Sequence, residues 1–163
     1  MFIGKEIGLP QEKLKSLHMA GLLHDIGKIA VPINILNKPG KLNPTEFELI
    51  KKHPEVGYEI LKNIEFPYPV ADIVLQHHER IDGSGYPKGL KDGEILLEAR
   101  ILAVSDVVEA MSSHRPYRPA FPLETVLKEI SEKKGILYDS NVVEACIKLF
   151  KEKNFKLDGI ISI

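Results

Sequence analysis

Apolar residues recur at three- and four-residue spacing over most of the chain. Leu14, Leu17, Gly21 and Leu22 form one such stripe, which predicts a helix over residues 10 to 28, opening at Pro10 and carrying HDIGK near its end. The next stretch, IAVPINILNKPGKLN, is rich in proline and glycine and predicts a loop with short turns. Asn43-Pro44-Thr45-Glu46 then sets a capping residue before a proline and an acid, the chemistry that starts a helix. Because proline disfavours helical backbone in the residue before it, Pro54 breaks or restarts that helix and leaves His53 at a junction. Further helices are predicted over 68 to 79, 98 to 111, 122 to 134 behind Pro122, and 139 to 153 behind Asp139. The run from Glu98 to Met111 is apolar on several faces, which marks a buried helix. The final GIISI reads as a short strand or a frayed tail. Without repeats, low-complexity segments or a linker, the pattern predicts one all-α helical bundle over 1–163.

Composition narrows the class. The 163 residues suffice for a single core without disulfides or structural zinc. Lys plus Arg (22) and Asp plus Glu (23) nearly cancel, so no broad basic field gathers a nucleic acid polymer or an anionic membrane. The single cysteine, Cys146, excludes an internal disulfide, fits a reducing compartment and reads as an inert core thiol in its apolar helix. No apolar run approaches the roughly 20 residues of a membrane span, and the N-terminus lacks a signal-peptide layout; a cytoplasmic protein without membrane insertion is expected.

Six polar residues interrupt these apolar helices: His24, Asp25, His53, His77, His78 and Asp106. Asp106 lies inside ILAVSDVVEAM, where an unpaired buried carboxylate costs several kcal/mol and so requires a nearby cation. Neighbouring helical residues point about 100° apart, so His24-Asp25 and His77-His78 can each offer two ligands to a centre holding more than one metal. Mixed nitrogen and oxygen donors suit iron, manganese or zinc, whereas calcium favours oxygen alone. One histidine in a helix is ordinarily a packing or surface residue; four with two aspartates are not. His18 and His114 lie outside the pattern. Glu79 reads as an acceptor orienting a ligating imidazole, in preference to a helix-end charge. For Lys28 the alternatives are a cation on the helix dipole and a phosphate contact one turn from Asp25.

HDIGK at 24–28, the His53-Pro54 pair, HHERIDGSGYP at 77–87 and SDVVEAMSSHRPYR at 105–118 together resemble an HD-GYP domain, a branch of the HD metal-dependent phosphohydrolase superfamily. The resemblance implies a mainly helical fold, two or three divalent metal ions, commonly iron or manganese, and hydrolysis of the bacterial second messenger cyclic di-GMP to linear 5′-pGpG and onward to GMP. It implies metal ligation by His24, Asp25, His53, His77, His78 and Asp106, with Asp25 as the bridge. Asp25 and Lys28 fall on catalytic positions. Lys28, Arg115 and Arg118 fall on phosphate-contacting ones, and Tyr86 lies in the loop associated with substrate and partner contacts. It also admits a protein partner on that loop and a homodimer. Family members carry a further histidine on a helix before HD. Here no histidine precedes His18, and MFIGKEIGLP looks like the tail of that helix, so a domain lacking most of its first helix is expected. The rival readings are a non-catalytic binding module using the GYP loop and a phosphohydrolase acting on another nucleotide.

Overall fold

The computed structural model describes residues 1–114, 119–153 and 155. Its helices are α1 (Phe2–Glu6), α2 (Gln11–Leu23), α3 (Ile33–Leu36), α4 (Pro44–Ile50), α5 (His53–Leu61), α6 (Val70–Gln76), α7 (Leu97–Ser112), α8 (Leu123–Glu132) and α9 (Ser140–Glu152), with a 3-10 turn at Ile26–Ala30. Among the described residues extended pairing is limited to two isolated bridges, Asp82 with Lys91 and Lys134 with Tyr138. The expected all-α architecture is therefore what forms. No helix among the described residues is long and apolar enough to cross a membrane.

The apolar run that marked a buried helix becomes α7, the centre of the bundle. Ala99, Ile101 and Val104 are wholly buried there, and α2, α6, α8 and α9 pack around it. Ile73 and Val74 seal α6 against α2 and α5, while Val126, Ile130, Val142 and Val143 close the α8–α9 side. Such a core draws its stability from apolar area removed from water, roughly 25 cal/mol per Å². On α7 the acid Glu98 is buried too, with Lys13 Nζ 3.3 Å away. At the N-terminus, α1 packs on α9, and Glu6 accepts hydrogen bonds from the ammonium groups of Lys148 and Lys153.

Helix starts follow the sequence closely. Asn43 Oδ1 accepts from Glu46 N and Glu46 Oε2 accepts from Asn43 N, both at 2.8 Å, completing the capping box of α4. Asp139 caps α9 through Asn141 N and Val142 N. Two helix ends differ from expectation. The helix expected over 10 to 28 stops at Leu23, because the following 3-10 turn lies against α5 so tightly that a Cβ on Gly27 would sit 1.9 Å from the His53 carbonyl oxygen. A straight helix would carry that segment past α5. Likewise, the helix expected over 68 to 79 is only Val70–Gln76, since the chain turns at His77-His78 into a loop anchored on the body of the bundle. The expected break at Pro54 falls as foreseen, with α4 ending at Ile50 and α5 opening at His53. The terminal GIISI lies outside the described residues.

Candidate metal centre

Three of the four histidines are aimed by the same local device. His24 follows α2, and its Nδ1 meets the Gly21 carbonyl at 2.8 Å. His77 follows α6, and its Nδ1 meets Val74 O at 2.5 Å; His53, three residues beyond Ile50 at the end of α4, meets Ile50 O through its Nδ1 at 2.8 Å. Each acceptor is among the last four carbonyls of its helix, which have no intrahelical donor. A carbonyl can only accept, so Nδ1 carries the proton in all three rings and Nε2 keeps its lone pair. Ending the helices early thus supplies the acceptors that orient the rings.

Those lone pairs converge. His53 Nε2 and His77 Nε2 are 3.2 Å apart, and His53, His77 and His78 can each present a ring nitrogen within 4.8 Å of the others. Asp25 Oδ1 lies 3.5 Å from His53 Nε2 and its Oδ2 3.6 Å from His24 Nε2. From α7, Asp106 reaches His24 Nε2 at 3.8 Å and His78 Nδ1 at 3.9 Å. The structure thus gathers all six candidate ligands from the ends of α2, α5 and α6 and the middle of α7. Asp25 stands between His24 and His53, and Lys28, on the 3-10 turn, donates to its Oδ2 at 2.6 Å.

Electrostatics favour neutral imidazoles here. Burial pushes the His77 pKa down to about 3, and burial likewise lowers those of His53 and His78, reinforced for His78 by its imidazole neighbours. Burial acts upward on Asp25, but its neighbours His24 and Lys28 outweigh it and hold its carboxyl below the ordinary range. Asp106 is raised, chiefly by burial. With Nδ1 committed on both rings, the facing Nε2 atoms of His53 and His77 place two lone pairs against each other. That contact is repulsive until a cation accepts both. The donor set, neutral imidazoles with two carboxylates, fits a divalent metal of the borderline class.

The loop after His78 folds back over the centre. Tyr86 N donates to His78 O at 3.2 Å, and the Tyr86 ring rests against the His78 ring, centroids 4.7 Å apart. Burial raises the Tyr86 pKa, so its hydroxyl remains a neutral donor. Gly85 permits this fold, since a Cβ there would lie 2.4 Å from Glu79 Cα. The Tyr86–Pro87 peptide is cis. Glu79 corrects its expected role: the buried carboxylate accepts from Lys88 N at 2.7 Å and Leu90 N at 3.0 Å, clasping the loop, while His24, His53 and His77 are oriented by backbone carbonyls instead. Its position directly after the histidines suggested an imidazole partner; only the loop's return shows the real one.

Arg115 and Arg118 lie outside the described residues. His18 and His114 are exposed and take no part, and burial pushes the Cys146 thiol up to about 12, in keeping with an inert core residue. Lys51 and Phe47 went unnoticed in the sequence. The Lys51 ammonium lies over both the Phe47 and Tyr86 rings, at 5.1 and 5.8 Å from their centroids. An aromatic on α4 and a lysine four residues on, at the cap of that helix and next to the His53 junction, were the available signal.

Comparison with known proteins agrees with this picture. The HD domain family model matches residues 2–142. A cyclic di-GMP phosphodiesterase of Thermotoga maritima is 47% identical over 152 residues, which are 92% of this chain and 41% of that protein. The 3'3'-cGAMP-specific phosphodiesterase 1 of Vibrio cholerae is 43% identical over 77% of this chain and 29% of its own length. Among solved structures, Bd1817, an HDG"Y"P protein from Bdellovibrio bacteriovorus, superposes with a TM-score of 0.75 at 24% identity, covering 92% of this chain and 48% of that one, a likeness of fold. The chain thus spans less than half the length of these relatives.

Proposed function

The chain belongs to the HD domain family, in its HD-GYP branch, and from that premise we propose that it is a metal-dependent phosphodiesterase hydrolysing cyclic di-GMP to 5′-pGpG and onward to GMP. The observation that carries this reading is the convergence of three imidazole nitrogens within 4.8 Å, with Asp25 and Asp106 alongside. His24, Asp25, His53, His77, His78 and Asp106 would hold two or three divalent ions, iron or manganese, with Asp25 between the two halves of the set. When bound, such ions lower the pKa of water and neutralise phosphate oxygens.

The chain's own residues supply the rest. Nδ1–H contacts to Gly21, Ile50 and Val74 keep three imidazoles in one tautomer, so ligation needs no rearrangement. Lys28, 2.6 Å from Asp25, is a partly exposed cation that can exchange its carboxylate contact for a phosphate oxygen and stabilise the negative charge developing there. Arg115 and Arg118 have the guanidinium geometry for bidentate phosphate recognition, which completes the cationic side of the proposal. Tyr86 offers a neutral hydroxyl and an aromatic edge beside His78.

Assay of the metal-loaded chain against cyclic di-GMP, following phosphodiester cleavage by chromatography, tests the reading. Wild type should produce 5′-pGpG, and Asp25→Asn should lower turnover at least a hundredfold, the scale of losing a catalytic electrostatic contact. Binding of cyclic di-GMP without cleavage would reject catalysis.

A further inference from the structure

We propose that Phe47 of α4 and Lys51, which caps the end of that helix, form together with Tyr86 a purine-recognition shelf beside the metal centre, with Lys51 selecting guanine over adenine. The inference rests on the reading of the chain as a cyclic dinucleotide phosphodiesterase. It is carried by a continuous sequence of contacts leading outward from the centre. The His78 ring meets the Tyr86 ring at 4.7 Å, Tyr86 meets the Lys51 ammonium at 5.8 Å, and that ammonium meets the Phe47 ring at 5.1 Å. Phe47 is 44% exposed, a large aromatic surface offered to solvent at the rim. Glu48 Oε1 accepts one Lys51 N–H at 2.8 Å, and the ammonium has three such donors.

The chemistry of the shelf matches a nucleobase. A dinucleotide whose phosphate lies among the imidazoles must send its nucleoside outward, and the contacts from His78 to Phe47 follow such a direction. Aromatic faces stack on any base, whatever its identity. Discrimination requires a polar group. An ammonium donates to the O6 and N7 acceptors of guanine, whereas adenine presents a donor amino group where guanine has O6. Holding Lys51 over two rings restrains its long side chain, so less freedom is lost when a base arrives. Lys51 is thus a specificity-determining residue, apart from the groups that act on phosphate.

Equilibrium binding and steady-state kinetics of the metal-loaded protein with cyclic di-GMP and cyclic di-AMP test this. Wild type should prefer the guanine compound. Lys51→Met should weaken cyclic di-GMP about tenfold, the size of one charge-assisted hydrogen bond, while cyclic di-AMP changes little and metal content stays constant. Lys51→Arg should restore the guanine preference, since a guanidinium donates to the same two acceptors. Equal weakening of both compounds in Lys51→Met, or an undiminished guanine preference, overturns the inference while leaving phosphodiesterase activity standing. A wild type that binds with guanine preference, loses it in Lys51→Met, yet cleaves neither compound overturns the catalytic reading and supports the shelf. A wild type that binds neither compound overturns both.

Discussion

At the residue scale, the candidate centre depends on small groups that hold the candidate ligands still. Glu79 is the clearest case, a buried carboxylate whose two oxygens satisfy the amides of Lys88 and Leu90. Removing it strands two donors, and each unsatisfied buried group costs about 1–3 kcal/mol. Glu79→Ala should therefore lower stability by about 2 kcal/mol in urea unfolding and release Tyr86 from His78. An unchanged unfolding midpoint would contradict the clasp. The six candidate ligands were legible in the sequence because charged and imidazole groups stand out against apolar helical periodicity. The clasp was not, since residues 88 and 90 reach Glu79 only through the loop's return path. Nor were the carbonyls of Gly21, Ile50 and Val74, whose availability depends on where each helix stops.

At the element scale, the decisive contact is between the 3-10 turn and α5. Gly27 allows the two backbones to meet, and a Cβ would collide with His53 O at 1.9 Å and Gly57 N at 2.6 Å. Backbone atoms cannot rotate aside as a side chain can. Gly27→Ala should therefore push the turn and α5 apart, separating Asp25 from His53, at a cost of about 3 kcal/mol or more, the upper range for overpacking. Metal titration should show weaker binding in parallel with the lower unfolding midpoint; retention of wild-type affinity would show that the close approach does not position the ligands. Helix starts were readable because capping is local, as the Asn43–Glu46 pair shows. The ends of α2 and α6 were not, because apolar periodicity continues through residues whose backbone has already turned to meet another element.

At the scale of the whole molecule, the bundle keeps several histidines neutral in its interior. The His77 pKa is pushed from 6.5 to about 3 by burial, so the unfolded chain takes up a proton that the native state refuses. This stabilisation is complete above pH 6.5 and is lost as pH falls from 6.5 towards 3. His53 and His78 act with the same sign. Asp106, raised by burial, acts the other way, and Asp25, held low, acts with the histidines. The metal-free protein should accordingly show a thermal midpoint that drops steadily between pH 7 and pH 4; a midpoint constant across that interval would refute the neutral cluster.

The sequence by itself determined the all-α class, the order and starts of the main helices, and the identities of the six candidate ligands, because capping, apolar spacing and residue chemistry are properties of neighbours along the chain. Tertiary structure alone decided that Glu79 clasps the loop, that α2 and α6 stop short to offer carbonyls to imidazoles, and that Lys51 stands over Tyr86. The first depends on the return path of a loop, the second on where a helix meets a neighbouring element, and the third on the approach of two segments far apart in sequence, none of which is a property of neighbours along the chain.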